Sequence, residues 1–341
     1  MRTKAIVMVP KKKGAESFQL QNWDLSELQK DDVRVEVEAF GLNYADVMAS
    51  QGLYKEAPAR PSVIGYEVVG KIVETGSELD ENLIGKRVLA ATRFGGYAMH
   101  VNTKLHACIF VENEPANELM ALATQGVTAF YMSQDLVNIH PNDRVLIHAA
   151  AGGVGSLLIQ LAKKKKAFVI AKIGNESKRE IVRNLGADEI INYNKEEYDV
   201  TLNKKFGKGF LQLSFNAVGG DTFKKDLKMI GPGGRLILFG GAQLSAGKFG
   251  IFSALNFLRK MGRPLPIALM MTSKSVLGVN LLKVSDSNPQ LFNYCLNEAY
   301  QLYKDGEMKI EVGKQYKFDQ IQEAHQFLAS GKSSGKISLS W

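Results

Sequence analysis

The stretch Arg144–Ser156, RVLIHAAAGGVGS, decides the fold. Val145 to Ile147 is an apolar run of the kind that forms a buried parallel strand. It breaks at a turn of small residues, and an apolar helix carrying Leu157, Leu158, Leu161 and Ala162 follows at once. Ala150, Gly152 and Gly155 stand at the spacing of a dinucleotide fingerprint, with Gly153 and Val154 inside it. A side chain beyond a methyl at these positions would hold a pyrophosphate away from the backbone N–H groups at the positive end of the helix. A tight turn without a ligand favours the same small residues, so the motif is weighed with what lies downstream.

The next strand, Phe168–Ile173, ends about 20 residues after the fingerprint, where an NAD-binding chain places an acid on the ribose diol. Here it ends in Ile173 and runs into Gly174-Asn175-Glu176-Ser177-Lys178-Arg179. No acid at that position repels a 2′-phosphate, and Lys178 and Arg179 bring positive charge. The expected cofactor is therefore NADPH rather than NADH. Glu176, beyond the turn, is the alternative ribose acid. Ser177 to Glu180 fits a capping box, so a helix is expected to start there.

At 341 residues the chain is too long for one ordinary core and suits two domains. Its hydrophobic share of 45% is globular. No apolar run reaches the roughly 18 residues of a membrane-spanning helix. The start, MRTKAIVMVPKKKG, reads as a strand and a basic turn rather than a leader. Cys108 and Cys295 are too few for a disulfide framework or a structural zinc site, and a reducing, cytoplasmic setting is expected. The formal charge of +8 suits either a phosphorylated ligand or simple solubility. Lys163 to Lys166 closes a helix, where cations suit the dipole. Without interleaved aromatic residues the run argues against nucleic-acid binding.

Three stretches follow. From Met1 to about Ala121 short strands alternate with Gly and Pro punctuation, as in VRVEVEAF, KRVLAA and YAMHV. From there to Phe239, strands at Val145–His148, Phe168–Ile173, Glu189–Ile191, Leu211–Asn216 and Arg235–Phe239 alternate with helices, which predicts a doubly wound parallel sheet. Gly186 and the GPGG turn at Gly231–Gly234 read as stops. An apolar segment, Phe249 to Met271, precedes a strand-like run at Ser275–Asn280. The tail reads as helix (Asn288–Lys304), strand, helix (Asp319–Ala329) and strand (Lys336–Ser340).

The whole chain resembles a zinc-free medium-chain dehydrogenase/reductase of the NADPH:quinone oxidoreductase type, and within that family the branch named after the vesicle amine transport protein. The resemblance rests on GLNYADVMASQGLY (Gly41–Tyr54), GYEVVG (Gly65–Gly70), AAAGGVG (Ala149–Gly155), GADEIINY (Gly186–Tyr193), FNAVGG (Phe215–Gly220), GGRLILFG (Gly233–Gly240) and LMMTSKSVLGVNL (Leu269–Leu281), in the family's order. It implies an α/β architecture: a doubly wound Rossmann sheet for NADPH at 122–283, plus a chaperonin-10-like β-domain built from 1–121 and completed by 284–341. The active cleft is implied between the two.

Zinc enzymes of the family hold catalytic metal through a Cys at the position of Asn43 and a His at the position of Tyr66. An amide and a phenol do not replace thiolate and imidazole. Of the Gly-His-Glu pattern only Glu67 survives, and no metal is expected. Without a Lewis acid the remaining acceptors are already electrophilic: a quinone, or an alkene conjugated to a carbonyl. The candidate donors to the developing oxyanion are Asn43, Tyr54 and Tyr66. Asn43 has the alternative of a turn amide, and Tyr54 that of a core phenol. Met48 stands where several members carry tyrosine, which points to a more apolar pocket.

The family pattern further implies Gly174, Lys178 and Tyr193 around the 2′-phosphate. It implies Thr128 at the carboxamide, Asn216 and Gly219 at the end of a sheet strand, and Lys336 near the cofactor. Thr128 has the alternative of a helix residue bonding its own turn, and Lys336 that of a solvated strand residue. Two other functions stay open: reduction of alkenal or enoyl lipid-like substrates, with Phe249–Met271 shaping the pocket, and a non-catalytic cofactor-binding adaptor at a membrane or partner surface. The run Lys274 to Asn280 is implied to sit at the sheet edge and pair with a second copy in a homodimer, unless a tail helix covers it.

Overall fold

The computed structural model describes residues 1–10, 12–245, 251–262 and 264–341. They form two units: Met1–Thr128 with Leu281–Trp341, and Ala129–Asn280.

The second unit is built on a six-stranded, wholly parallel sheet. In spatial order its strands are Glu189–Asn192, Phe168–Ile173, Arg144–Ile147, Leu211–Asn216, Ile230–Leu238 and Ser275–Gly278. The chain lays down one half outward from Arg144–Ile147 and then the other half outward from Leu211–Asn216, which puts the switch point between those two strands. Val145, Leu146, Ile147, Val169, Ile170 and Ala171 are all fully buried. Such continuous apolar runs are what a sheet covered on both faces requires. The helix Gly153–Lys164 buries Leu157, Leu158, Leu161 and Ala162. Near its C-terminal end, Lys163 meets Asp188 at 2.8 Å.

Two local expectations change. The GPGG run is no stop: Ile230–Leu238 is one strand, and its register against the neighbour slips between Leu211/Ile230 and Leu213/Arg235. A Cβ at Gly231 would collide with the Gly209 carbonyl, so the glycine lets a bulged backbone close on its neighbour. After Phe168–Ile173 the cap is Asn175, not Ser177. The Asn175 side chain accepts from the Ser177 N–H at 3.1 Å and opens a 3₁₀ turn, Glu176–Lys178, ahead of the helix Arg179–Asn184.

The apolar segment forms the helices Ile251–Met261 and Pro266–Thr272, while Phe249, Gly250 and Arg263 lie outside the described residues. Leu265, Ile267, Met270 and Met271 are each more than half exposed (61%, 54%, 70% and 78%). Among the described residues no helix is long and apolar enough to cross a membrane.

The first unit holds a seven-stranded sheet. Its main path runs Val312–Lys317, Lys336–Ser340, Asp32–Leu42, Glu67–Thr75, Arg87–Ala91 and Cys108–Phe110, with His100–Lys104 also paired to Asp32–Leu42. A two-stranded ribbon, Arg2–Met8 with Phe18–Asp24, packs its buried residues into the same core as Phe40, Ile64, Ile72 and Tyr97. The C-terminal strand lies antiparallel on Asp32–Leu42, pairing Ile337 with Leu42 and Leu339 with Phe40. That pairing sets Lys336 beside the segment that carries Gly41 and Asn43.

Candidate active site

In the second unit the strand Arg144–Ile147 ends at His148, and Ala149 takes a left-handed φ of 49°. The chain turns through Ala150 and Ala151, and Gly152 opens the helix in extended backbone with no side-chain cap. Gly152 thus offers no side chain to the first-turn N–H groups of Gly153, Val154 and Gly155, at the position where helices receive anions. At Gly155 a Cβ would stand 2.7 Å from Ala150 Cα, so only glycine lets the helix start against the strand end. Ala150 is fully buried, and its N–H donates to the Lys172 carbonyl at 3.1 Å. These residues fit a dinucleotide pyrophosphate.

The loop after Phe168–Ile173 sets Gly174 against Tyr193, which follows the neighbouring strand Glu189–Asn192, and Lys178 ends the turn beyond. A Cβ on Gly174 would stand 2.7 Å from Tyr193 Cζ, so the phenol ring lies flush against the glycine. Tyr193 is 50% exposed, and Asn194 Nδ2 fixes the loop by donating to the Gly174 carbonyl at 2.6 Å. Partial burial lowers the pKa of Lys178. Glu176 is occupied: Arg179 grips it, Asn192 Nδ2 donates to it at 3.1 Å, and Lys195 lies 3.3 Å away. Arg179 and then Asn192 hold its pKa down to about 2. Two readings from sequence are thereby corrected. Glu176 is not a free ribose acid, and the charge of Arg179 is neutralised by Glu176.

Asn216 is fully buried. Its Oδ1 accepts from the Val218 and Gly219 N–H groups at 2.9 Å each, and its Nδ2 donates to Asp226 at 2.7 Å. The side chain therefore shapes the loop through Gly219, whose φ is +69°, with its own polar atoms bonded internally.

The first unit assembles a buried polar cluster. Lys336 and Glu67 are both fully buried and form an ion pair. Asn43 Nδ2 donates to both Glu67 oxygens, at 2.8 and 3.0 Å, and Lys336 Nζ donates to Asn43 Oδ1 at 3.0 Å. Thr124 Oγ1 donates to the second Glu67 oxygen. A Cβ at Gly41 would stand 2.6 Å from Lys336 Cε, so that glycine makes room for the lysine. Asn43 also precedes the helix Tyr44–Ser50, and its N–H donates to Asp46 Oδ2 at 2.8 Å. Burial first, then the neighbouring Glu67 charge, pushes the Asp46 carboxyl up to about 8 against the pull of that N–H.

Beside the cluster lie two phenols. Tyr66 is 5% exposed, packs on Phe94 with ring centroids 5.3 Å apart, and its buried hydroxyl has no hydrogen-bond partner among the described residues. Tyr54 meets Tyr66 edge-on at 6.4 Å and is pushed up to about 12 by burial. Both are neutral donors at ordinary pH.

The cluster revises the sequence reading of its members. Lys336 is neither a solvated strand residue nor a cation directed to a cofactor, because its ammonium is committed to Glu67 and Asn43. Asn43 Nδ2 is turned onto the Glu67 carboxylate, so the amide holds the ion pair. Thr128 Oγ1 donates to the Thr124 carbonyl at 2.6 Å, the back-bonding its helix position allows. Thr124 itself escaped sequence reasoning, and the one local hint of the cluster is Gly41. The donor set is unsuited to a transition metal: it offers an amide, a phenol and a carboxylate already neutralised by an ammonium. Among the described residues no group of three or more His, Cys, Asp or Glu is placed to hold a metal ion.

Residues 29–154 match the family described as alcohol dehydrogenase GroES-like domain, and residues 153–294 match that described as zinc-binding dehydrogenase. The chain is 30% identical over 314 residues to the synaptic vesicle membrane protein VAT-1 homolog of Danio rerio, covering 92% of this chain and 64% of that protein. It thus spans less than two thirds of that relative's length. It is 28% identical over 330 residues to quinone oxidoreductase 1 of Escherichia coli K12, covering 96% of each. The crystal structure of Escherichia coli quinone oxidoreductase complexed with NADPH aligns with a TM-score of 0.82 over 100% of both chains, at 24% identity, a likeness of fold.

Proposed function

The chain belongs to the medium-chain dehydrogenase/reductase superfamily, and on that premise we propose that it is an NADPH-dependent, zinc-independent reductase of quinones or conjugated enones. The observation that carries this reading is the buried Lys336–Glu67–Asn43 cluster, in which Asn43 stands where the resemblance implies a metal-binding Cys in the zinc enzymes. A chain so built favours acceptors that need no Lewis acid. NADPH, when bound, supplies the hydride. The small residues Ala150, Gly152 and Gly155 admit its pyrophosphate, and Lys178 with Tyr193 and Gly174 suits its 2′-phosphate. The NADPH in the Escherichia coli quinone oxidoreductase structure supports that cofactor.

The chain's own part in catalysis is to donate hydrogen bonds where negative charge develops on the acceptor oxygen. Tyr66, whose buried hydroxyl has no partner among the described residues, is the first candidate, and Tyr54 the second. Asn43 acts as a positioning residue, since its amide holds the ion pair beneath them. Glu67 and Lys336 neutralise each other and leave no net charge to oppose an incoming anion.

NADPH consumption tested with a naphthoquinone and, separately, an alkenal decides between acceptors. Turnover of either supports the reading. NADPH binding with turnover of neither supports a cofactor-binding adaptor instead. The strand Ser275–Gly278 lies at the end of the parallel sheet, and the neighbouring Ile267, Met270 and Met271 are exposed. An apolar edge of this kind favours a twofold homodimer. Light scattering at micromolar concentration is expected to give twice the 37.6 kDa chain mass, and a monomer mass would refute the assembly.

A further inference from the structure

Behind the dinucleotide loops the second unit buries a line of three ionisable side chains. Lys172, next to last in the strand Phe168–Ile173, is 4% exposed. Its Nζ lies 3.4 Å from Nδ1 of His148, the residue that leads into the fingerprint turn. On the other side of the ring, His148 Nε2 lies 2.8 Å from Asp226 Oδ2, and both residues are fully buried. An ammonium beside Nδ1 suits a neutral imidazole that accepts there. The imidazole thus separates a lysine cation from its counter-charge. Ser214 Oγ, Asn216 Nδ2 and the Tyr198 hydroxyl complete the shell of Asp226, at 2.7, 2.7 and 2.8 Å.

The ammonium also stands over two aromatic rings. Its Nζ is 3.8 Å from the Tyr198 ring centroid and 5.0 Å from that of Tyr193. Tyr193 is the half-exposed ring that lies flush on Gly174. We infer that Lys172 is a second cation of the 2′-phosphate site, acting through Tyr193: it anchors the ring by a cation–π contact and adds positive potential one ring away from Gly174 and Lys178. This rests on the NADPH reading. It makes Lys172 a positioning and specificity residue that never touches the cofactor.

A lysine interior to a sheet must justify its desolvation. Here Asp226 lies beyond the imidazole, and the phosphate of a bound ligand supplies a second anion. Burial lowers the pKa of Lys172 to about 8, with the charge of Lys225 in the same direction and those of Asp226, Asp221 and Asp199 opposing. His148 is held neutral by burial, and the same environment raises the Tyr198 phenol well above its ordinary value. The sign follows. Below about pH 8 the ammonium is charged and favours the 2′-phosphate, and above it the added potential fades. A phosphate monoester with a second pKa near 6 keeps its charge throughout this range. Lys178, also lowered by burial, is the other titrating group of the site, and a separate substitution there tells the two apart.

The test is the ratio of NADH to NADPH dissociation constants, by calorimetry at about pH 7 and about pH 9.5, for wild type, Lys172→Met, Lys178→Ala and Tyr193→Leu. The wild-type preference for NADPH is expected to fall about tenfold, or about 1.4 kcal/mol, over that range. Lys172→Met is expected to lose as much already at pH 7 and to show a flatter profile. Lys178→Ala is expected to retain the fall with pH, and Tyr193→Leu, a change on the surface, to lose it. A wild-type preference unchanged between the two pH values would overturn the inference even if Lys172→Met does not fold. So would a folded Lys172→Met with the wild-type ratio and profile. NADPH preference that depends on Lys178 alone would overturn this inference and leave the NADPH reading standing. Failure of wild type to bind either dinucleotide would overturn both.

Discussion

The dinucleotide turn of the second unit and the polar cluster of the first are built on opposite plans. The turn lies within one short stretch, Arg144–Ser156, and works by omission. Ala150, Gly152 and Gly155 leave backbone bare, and the helix beginning at Gly153 has no side-chain cap. The cluster draws Gly41 and Asn43, Glu67, Thr124 and Lys336 from four distant segments and works by saturation. Each oxygen of Glu67 and each amide atom of Asn43 has a partner inside the protein. One region leaves its backbone open, and the other closes on its own side chains.

Breaking the cluster should have the largest effect. Lys336→Met leaves Glu67 fully buried without a counter-charge, and removing one partner of such a pair destabilises by about 3–5 kcal/mol. Urea unfolding should show the loss, and the double substitution Lys336→Met with Glu67→Leu should restore most of it. Equal losses in the single and double variants would mean that the charge pair is not what the cluster protects.

The phenol beside the cluster comes next. Tyr66→Phe removes one hydroxyl that has no partner among the described residues, so stability should stay within about 0.5 kcal/mol. Turnover should fall about a hundredfold if that hydroxyl meets developing charge. An unchanged kcat would move the donor role to Tyr54 and leave the cluster purely architectural.

In the other region the expected effect is smaller. Lys178→Ala should cost NADPH about tenfold in affinity, about 1.4 kcal/mol, and leave NADH almost unaffected. Equal losses for the two cofactors would place Lys178 on the shared part of the dinucleotide.

The same contrast explains what the sequence revealed. Fingerprint, strand and helix were legible because a run such as Val145–Ile147 and the glycines after it state their own backbone requirements. The parallel sheet followed from alternating elements, and Phe168–Ile173, Leu211–Asn216 and Lys336–Ser340 have the predicted bounds. The GPGG run misled because glycine serves a bulge against Gly209 as well as it serves a turn. Arg179 misled because its partner Glu176, three residues earlier, captures it across one turn of chain. Lys336 was opaque for a different reason. Nothing near it in sequence announces that strand pairing with Asp32–Leu42 brings it to Glu67. Pairings across hundreds of residues belong to the fold, and so did Lys172 with His148 and Asp226.

We propose that the buried Lys336–Glu67 pair stands in place of a metal in an NADPH-oxidising enzyme. The most direct measurement is the rate of NADPH oxidation by a naphthoquinone before and after exhaustive dialysis against a chelator, with elemental analysis of the same sample. An unchanged rate and no stoichiometric zinc are expected. A rate abolished by the chelator and restored by added zinc would show that the enzyme depends on a metal.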